Sequence, residues 1–233
     1  MSINPTVALT LGDNAYENGS LSQYQTEYDP NWGRFKSRTK PTTGNHEWHT
    51  ANAQGYHDYF GSIAPADYYS YDVGAWHVVV LNSQIDMSLG SAQELWLKAD
   101  LAATAKRCTV AIWDQPRFSS TGTSVRSAVK PLWDDLYAAG AELVLNAHYR
   151  VYERFAPQTP AGVADATNGI RQFTVGTGGS TIDTFGTPIA NSEVRATNLF
   201  GVLKLTLADG SYSWQFVPIA GQTFTDSGSG SCH

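Results

Sequence analysis

The sequence predicts an α/β protein with two β-sheets, folded as one domain over residues 1–233. Through the first two thirds of the chain, apolar β-branched runs alternate with amphipathic segments that begin at helix-capping residues. In the last third the helix signals stop, and short β-type runs follow one another. Because neither a repeat nor a linker separates the two parts, we expect both sheets to share one core.

Up to residue 107, the elements are predicted from apolar periodicity and from the residues that start and stop helices. Ser20 and Ser91 are suited to cap helices, and Glu94 completes a capping-box pattern with Ser91. Gly74 separates two β-type runs and indicates a hairpin. The predicted order is a strand over 6–11, helices over 20–28 and around 32–38, a helical turn over 56–60, a hairpin over 68–81 and a helix over 91–105.

From residue 108 onward, one more helix lies among strands. Gly140 is suited to end that helix, and Asp209-Gly210 indicates a hairpin turn. Cys108 and Cys232 could form a disulfide or stay two unpaired thiols, because the sequence does not supply the geometry. The predicted elements are a helix over 125–139, strands over 108–113, 142–146, 149–155, 170–175, 200–207 and 212–217, and a Ser/Gly-rich flexible tail over 225–233.

Composition limits the partners. The net charge of −6 argues against a nucleic-acid backbone as the partner. No apolar run reaches the roughly 18 residues of a membrane span, so no membrane partner is expected. The first residues lack the basic and apolar regions of a signal peptide, which predicts a cytoplasmic protein for the sequence as it stands.

Polar side chains follow four of the predicted strands. Asp13, Asn45, Asp114 and His148 each come just after a strand, where the carboxyl ends of a sheet expose their loops. Carboxylate, amide and imidazole groups are the donors that divalent metals bind. Asp13 and Asn45 could instead be ordinary turn residues beside glycines, and for Asp114 a plain loop carboxylate is an equal alternative. We favour a metal site because these groups recur at successive strand ends.

Four segments carry motifs that occur together in one family: residues 12–16 (GDNAY), 44–47 (GNHE), 113–118 (WDQPRF) and 146–154 (NAHYRVYER). In this order they resemble the calcineurin-like metallophosphoesterases, and more narrowly the bacterial branch close to purple acid phosphatases. The resemblance runs over nearly the whole chain. It implies a four-layer α/β/β/α sandwich of two mixed β-sheets, with a two-metal site that clamps a phosphate ester.

The same resemblance assigns roles to the matching residues. Asp13 would bridge the metals and Tyr16 would bind the first of them. Asn45 and His148 would bind the second metal. His46 would stabilise the phosphoryl oxygens or protonate the leaving group. By its position next to His46, Glu47 would orient that imidazole.

The chain departs from the family pattern at three points. The family places a strand with an Asp ligand before residues 12–16, so this chain is expected to lack the usual first strand. We expect another segment, or a homo-oligomer, to cover the exposed sheet edge. Asp114 stands where the family has a histidine, and Arg150 replaces a second histidine. Arginine cannot ligate a metal, although it binds phosphate; a pair with Asp114 or Glu153 would equally account for Arg150.

These departures favour one divalent ion over two. A set of mostly oxygen donors favours Mn²⁺, Mg²⁺ or Ca²⁺, while Fe and Zn stay open. The predicted function is a metal-dependent phosphoesterase, impaired or restricted to one metal, that hydrolyses small-molecule phosphate mono- or diesters. One alternative is a non-catalytic binding module with the same fold. Another is a pocket reassigned to a different reaction through Arg150 and Asp114. Related proteins are often exported, so a chain truncated at its N-terminus would be secreted.

Overall fold

The computed structural model describes residues 3–122 and 126–233. Its strands are β1 Ala8–Leu9, β2 Thr39–Lys40, β3 Tyr69–Val73, β4 Trp76–Val80, β5 Cys108–Ile112, β6 Leu143–Asn146, β7 Tyr152–Phe155, β8 Arg171–Val175, β9 Ser192–Ala196, β10 Gly201–Ala208, β11 Ser211–Pro218 and β12 Ser227–Ser231. Its α-helices are α1 Leu21–Gln23, α2 Gln54–Phe60, α3 Ala92–Ala103 and α4 Lys130–Ala138. A π-helical segment, Tyr24–Tyr28, continues α1, and 3₁₀ turns lie at Gly33–Arg38, Glu47–His49, Ala51–Ala53, Gly61–Ile63 and Ser127–Val129.

The larger sheet has seven strands in the order β3-β4-β5-β6-β8-β7-β9. Strands β4, β5, β6 and β8 are parallel, while β3, β7 and β9 add antiparallel pairs at the two sides. The parallel strands are buried runs such as Cys108–Ile112, as expected for strands covered on both faces. Their carboxyl ends therefore meet at one edge of the sheet.

Two smaller sheets complete the strand pairing. Strands β10, β11 and β12 form an antiparallel sheet, and β1 pairs with β2 in parallel. With helices on the outer face of the larger sheet, this arrangement is the two-sheet α/β sandwich that the sequence predicts. Among the described strands β1 pairs with β2 alone, so the expected cover over its other edge stays a prediction.

Two apolar layers hold the sandwich together. Between the sheets, Trp76, Ile112 and Phe173 of the larger sheet are fully buried with Phe216 of β11. On the opposite face, α3 and α4 pack through residues such as Trp133. Burial of one such large side chain contributes about 2–3 kcal/mol. A third, aromatic cluster joins α2 to the segment that contains α1.

The C-terminal segment forms a strand, and the prediction of a flexible tail over 225–233 is wrong. Ser227–Ser231 pairs with β11 as β12, and Cys232 is bonded to Cys108 with a Cα–Cα distance of 5.5 Å. Gly228 and Gly230 lie flat against Trp214 and Tyr212, where any larger side chain would collide with the rings. The low hydropathy of residues 227–231 gives no strand signal in the sequence. Backbone pairing and contacts with aromatic rings stabilise this strand in place of apolar side chains.

Most of the helix and strand predictions are confirmed, with shifted ends. Ser20 and Gln23 form a reciprocal capping box at α1, and the Ser91 hydroxyl accepts from the Glu94 N–H at the start of α3. The helix expected over 125–139 occupies Ser127–Ala138 as a 3₁₀ turn and α4, and its predicted first residue, Val125, lies outside the described residues. Strand β9 was not predicted, because its charged residues give it the polar pattern of an edge strand. No described helix is long and apolar enough to cross a membrane.

Candidate metal centre

The candidate site lies where strands of the larger sheet and of the two-stranded β1–β2 sheet end. Hydrogen bonds continue past the parallel strands: the Trp113 N–H donates to the Leu145 carbonyl, and the Ala147 N–H donates to the Asp114 carbonyl. These bonds place Asp114 directly beside the start of the 147–150 loop. From the other sheet, the Thr42 hydroxyl donates to the Leu81 carbonyl at 2.7 Å and joins the loop after β2 to the end of β4.

Asp13, Asp114 and His148 form a cluster in which one donor atom from each residue lies within 4.8 Å of the others. His148 Nδ1 lies 3.3 Å from Asp114 Oδ2. Asp114 is fully buried, and its Oδ1 has no hydrogen-bond partner among the described residues. Burial raises the pKa of Asp114 to about 6, although His148 opposes the shift. A buried carboxylate oxygen without a donor is suited to a cation.

The glycines before Asp13 and Asn45 allow this close approach. A Cβ on Gly44 would lie 2.2 Å from Asp13 Oδ1, and a Cβ on Gly12 would lie 2.8 Å from the Cβ of Asp114. Asp13 and His148 themselves have positive φ values of 50° and 62°. Left-handed backbone at such residues costs about 1–3 kcal/mol each and is typical of functional sites.

Glu47 organises the loop of Asp13. Its carboxylate accepts from the N–H groups of Asp13 at 2.9 Å, Asn14 at 2.7 Å, Ala15 at 3.3 Å and Gly44 at 2.7 Å, and from the Tyr24 hydroxyl at 3.2 Å. Burial, followed by the charge of Asp13, raises the pKa of Glu47 to about 7. The expected contact with the His46 imidazole is not found. Glu47 instead positions the backbone on which Asp13 stands.

His46 is held by the backbone of a neighbouring loop. Its Nδ1 lies 2.7 Å from the Glu17 carbonyl, and its N–H donates to Asp13 Oδ1 at 3.0 Å. A carbonyl oxygen only accepts, so Nδ1 carries a proton and Nε2 is the free ring nitrogen. The ring also packs on Tyr16, with centroids 4.4 Å apart.

Arg150 pairs with Asp183, a residue that the sequence did not single out. Asp183 Oδ1 accepts from Arg150 Nη2 at 3.1 Å, and Oδ2 accepts from the Arg150 N–H at 2.9 Å. The alternatives for Arg150, a pair with Asp114 or with Glu153, are wrong: Asp114 contacts His148, and Glu153 accepts from Ser120 and Ser192. Burial alone would lower the pKa of Arg150, but Asp183 raises it.

Tyr16 lies between Arg150 and the cluster. Burial and the neighbouring Asp13 raise the pKa of its phenol to about 12, against smaller effects of Ser180 and Arg150. Without a metal the hydroxyl is therefore protonated at neutral pH.

A cavity of about 400 Å³ opens over these groups. It is lined by five of the seven residues that the sequence singles out. The other two contact lining residues: Asp114 contacts His148, and Tyr16 packs on His46. Its lining is Asp13, Asn45, His46, Thr121, Gly122, His148, Tyr149, Arg150, Asp183 and Thr184.

Curated relatives of this chain are plant purple acid phosphatases. Purple acid phosphatase 22 of Arabidopsis thaliana is 30% identical over an alignment of 233 positions, gaps included. The alignment covers 84% of this chain and 52% of that protein. Purple acid phosphatase 15 of the same plant is 29% identical over 192 residues, covering 65% of this chain and 36% of that protein. The chain thus spans about half, or less, of the relatives it matches. No family model matches the sequence.

Solved structures match over almost the full chain. Purple acid phosphatase PPD1 from yellow lupin seeds superposes with a TM-score of 0.78 at 19% identity, over 97% of this chain and 46% of that one. PhoD superposes with a TM-score of 0.60 at 12% identity, over 95% of this chain and 63% of that one. The chain has the calcineurin-like metallophosphoesterase fold. GAP50, described as the anchor in the inner membrane complex of Plasmodium, has a similar fold, with a TM-score of 0.71 at 16% identity over 95% of this chain and 77% of that one.

Within the metallophosphoesterase fold, the missed residues come from two loops. Thr121 and Gly122 follow β5, and Asp183 and Thr184 follow β8. The Gly186 N–H donates to the Ser120 carbonyl and ties the two loops together. No sequence motif marks these residues. Their one sequence signal is that they follow predicted strands, and β8 lies next to β6 in the parallel part of the sheet. Assignment to a bacterial branch of the family stays a prediction.

Proposed function

We propose that the chain is a metal-dependent phosphoesterase that uses one divalent ion. The observation that carries this proposal is the cluster of Asp13, Asp114 and His148, in which a fully buried carboxylate oxygen has no partner among the described residues. Asp13 and His148 each place a donor atom within 4.8 Å of an Asp114 carboxylate oxygen. A cation bound among these atoms would stabilise the ionised form of the buried Asp114 carboxylate.

The donor set fits a hard divalent ion. Asp13, Asp114 and Asn45 offer oxygens, and His148 offers one nitrogen. Such a set favours Mn²⁺, Mg²⁺ or Ca²⁺ over Zn²⁺. On the other side of the cavity a second ion has little to bind. Arg150 cannot ligate, and it lies beside Tyr16, the candidate donor for that ion apart from Asp13.

In this proposal the bound ion supplies a polarised phosphoryl oxygen and an acidified water. The chain supplies the rest. Arg150 donates to phosphoryl oxygens, as guanidinium groups do in phosphate sites. His46 lines the cavity, and in its imidazolium form Nε2 would carry a second proton that could pass to the leaving alkoxide. A water oxygen would form the new P–O bond as the bond to the leaving oxygen breaks, and the proton that this water loses would pass to solvent.

Metal analysis combined with an aryl phosphate assay across Mn²⁺, Mg²⁺ and Zn²⁺ tests the proposal. We expect about one ion per chain and turnover that depends on it. Asp114→Asn should lower metal occupancy and turnover at least ~10-fold, because a primary ligand loses its charge. Asp209→Asn makes the same change in an exposed hairpin and should alter neither. Less than ~0.2 ion per chain after reconstitution, with no turnover, would contradict the proposal.

A second candidate function, a non-catalytic module with this fold, is favoured by one observation. Asp183 uses both oxygens on Arg150, so the guanidinium in the half of the cavity without metal donors already has a carboxylate partner. This alternative predicts a folded protein whose unfolding temperature does not change when metal or chelator is added. It also predicts that the double variant Asp114→His/Arg150→His stays inactive.

A further inference from the structure

We propose that Asp183 makes this cavity selective for phosphodiesters, which carry one negative charge, by neutralising Arg150. The inference rests on the proposed function, and specifically on a single bound ion. It names both the substrate class and the residue that sets it.

Asp183 and Arg150 are joined by backbone hydrogen bonds as well as by the ion pair between their side chains. Both carboxylate oxygens bind Arg150, one at the guanidinium and one at the backbone N–H. The backbone returns the contact, because the Asp183 N–H donates to the Arg150 carbonyl at 3.2 Å. The Thr197 hydroxyl donates to the Asp183 carbonyl at 2.5 Å and fixes the loop from the outer side. Asp183 is therefore held at the cavity whether or not a substrate is bound.

The fixed charges leave no surplus for a dianion. Three carboxylates, those of Asp13, Asp114 and Asp183, face one guanidinium, that of Arg150. One divalent ion balances this set to zero. Of the flanking charged groups, Arg126 acts on Asp114, while the Glu47 carboxylate accepts from the Asp13 N–H and the Glu17 carboxylate lies 3.9 Å from His46 Nδ1. These groups add no net positive charge to the site. A phosphate monoester, which is a dianion above neutral pH, would leave the site one charge unit more negative than a phosphodiester would.

The uncharged part of the cavity suits a second ester group. Thr121, Gly122, Tyr149 and Thr184 line it and bring no cation to a further phosphoryl oxygen. The volume of about 400 Å³ lies within the range of small-molecule sites and exceeds the need of a bare phosphate group. In a diester, an ester oxygen that carries an alkyl or aryl group replaces one of the charged oxygens of a monoester.

Asp183→Asn tests the role of the charge with little change of shape. The amide oxygen can still accept from the Arg150 N–H, while the net charge of the site rises by one. We expect the variant to bind a dianion about 10–100-fold more tightly than the original chain, since one unit charge at this range acts strongly in a partly buried site. Affinity for a monoanion should change much less. The same substitution at Asp209 serves as the matched control and should change neither affinity.

The experiment is calorimetric binding of dimethyl phosphate and of methyl phosphate at pH 8 to the metal-loaded protein, with the ion content measured in each sample. Turnover of bis(p-nitrophenyl) phosphate and p-nitrophenyl phosphate gives a second readout. We expect the original chain to prefer the diester in both. The Asp183→Asn variant should move the preference toward the monoester.

The outcomes separate this inference from the proposed function. A chain that takes no metal overturns both. A chain with one ion that binds methyl phosphate more tightly than dimethyl phosphate overturns the selectivity alone, and this comparison needs no variant to fold. An unchanged preference in a folded Asp183→Asn variant overturns the role of Asp183.

Discussion

At the scale of single residues, the site depends on backbone positions that tolerate no extra atoms. Gly44 lies so close to Asp13 that both the carboxylate and the N–H of Asp13 would collide with a Cβ. Glu47 then holds the same loop through its contacts with the N–H groups of Asp13 and Gly44. Glycine and glutamate in the 44–47 motif thus act on the position of Asp13, and the residues between them face the cavity.

Gly44→Ala tests this dependence. The added Cβ would lie 2.2 Å from Asp13 Oδ1 and 2.5 Å from the Asp13 nitrogen, so the loop must shift. We expect a stability loss of about 1–3 kcal/mol, as for other overpacked sites, and a loss of metal affinity of at least ~10-fold. Urea unfolding and metal titration measure the two effects.

Gly178→Ala is the control for this variant, since a Cβ there meets nothing closer than a ring atom of Trp32 at 4.0 Å. Unchanged metal affinity in Gly44→Ala would show that Asp13 does not depend on the close approach.

At the scale of elements, the far end of the larger sheet carries a buried carboxyl group. Glu142 precedes β6 and accepts from the Thr109 N–H of β5 at 2.6 Å, next to the disulfide of Cys108 and Cys232. Its other oxygen has no partner among the described residues. Burial raises the pKa of Glu142 to about 7, although backbone N–H groups and Arg107 oppose the shift.

This raised pKa predicts that stability falls as the pH rises. The folded protein holds the Glu142 proton more tightly than the unfolded chain does, so the stabilisation is complete below the ordinary value of 4.5 and is lost as the pH rises through about 7. From pH 5 to pH 8 we expect a loss of about 2–3 kcal/mol from this group. Glu142→Gln cannot ionise and should flatten the profile measured by urea unfolding.

The variant Glu27→Gln, on an exposed face of the π-helical segment, should leave the profile unchanged. In metal-free protein Glu47 and Asp114 contribute with the same sign, because their pKa values are also raised. Glu142→Gln therefore removes only its own share. A slope identical to that of the original chain would contradict the prediction.

At the scale of the whole molecule, the proposed ion would connect the two sheets. Asp13 follows β1 in the two-stranded sheet, while Asp114 and His148 follow β5 and β6 in the seven-stranded one. An ion bound by all three residues would link these two sheets at the site. The disulfide provides a second link, because it joins β5 to the residues that follow β12.

Metal should therefore raise the unfolding temperature. At a free concentration of about 100 times the dissociation constant, binding adds about 2.7 kcal/mol of stability. For a chain of this size that is a rise of about 5–10 °C. A chelator should reverse the rise, and Asp114→Asn should abolish it while Asp209→Asn keeps it. An unfolding temperature that ignores the ion would support the non-catalytic module.

The sequence alone determined the local elements and the candidates for the site. Apolar periodicity and capping residues are local signals, so strands such as β4 and β5 and helices such as α3 could be predicted within a few residues. The four motif segments identified Asp13, Asn45, Asp114 and His148, because each follows a strand whose direction can be inferred. Motifs also led to the fold family.

Only the tertiary structure decided the contacts that join distant segments. The Cys108–Cys232 disulfide, the paired β12 and the Arg150–Asp183 pair connect residues that no local pattern relates. Glu47 was expected to orient the adjacent His46, and instead binds the backbone of a loop more than 30 positions earlier. Packing and charge pairing depend on proximity in three dimensions, whereas periodicity reports only the neighbours along the chain.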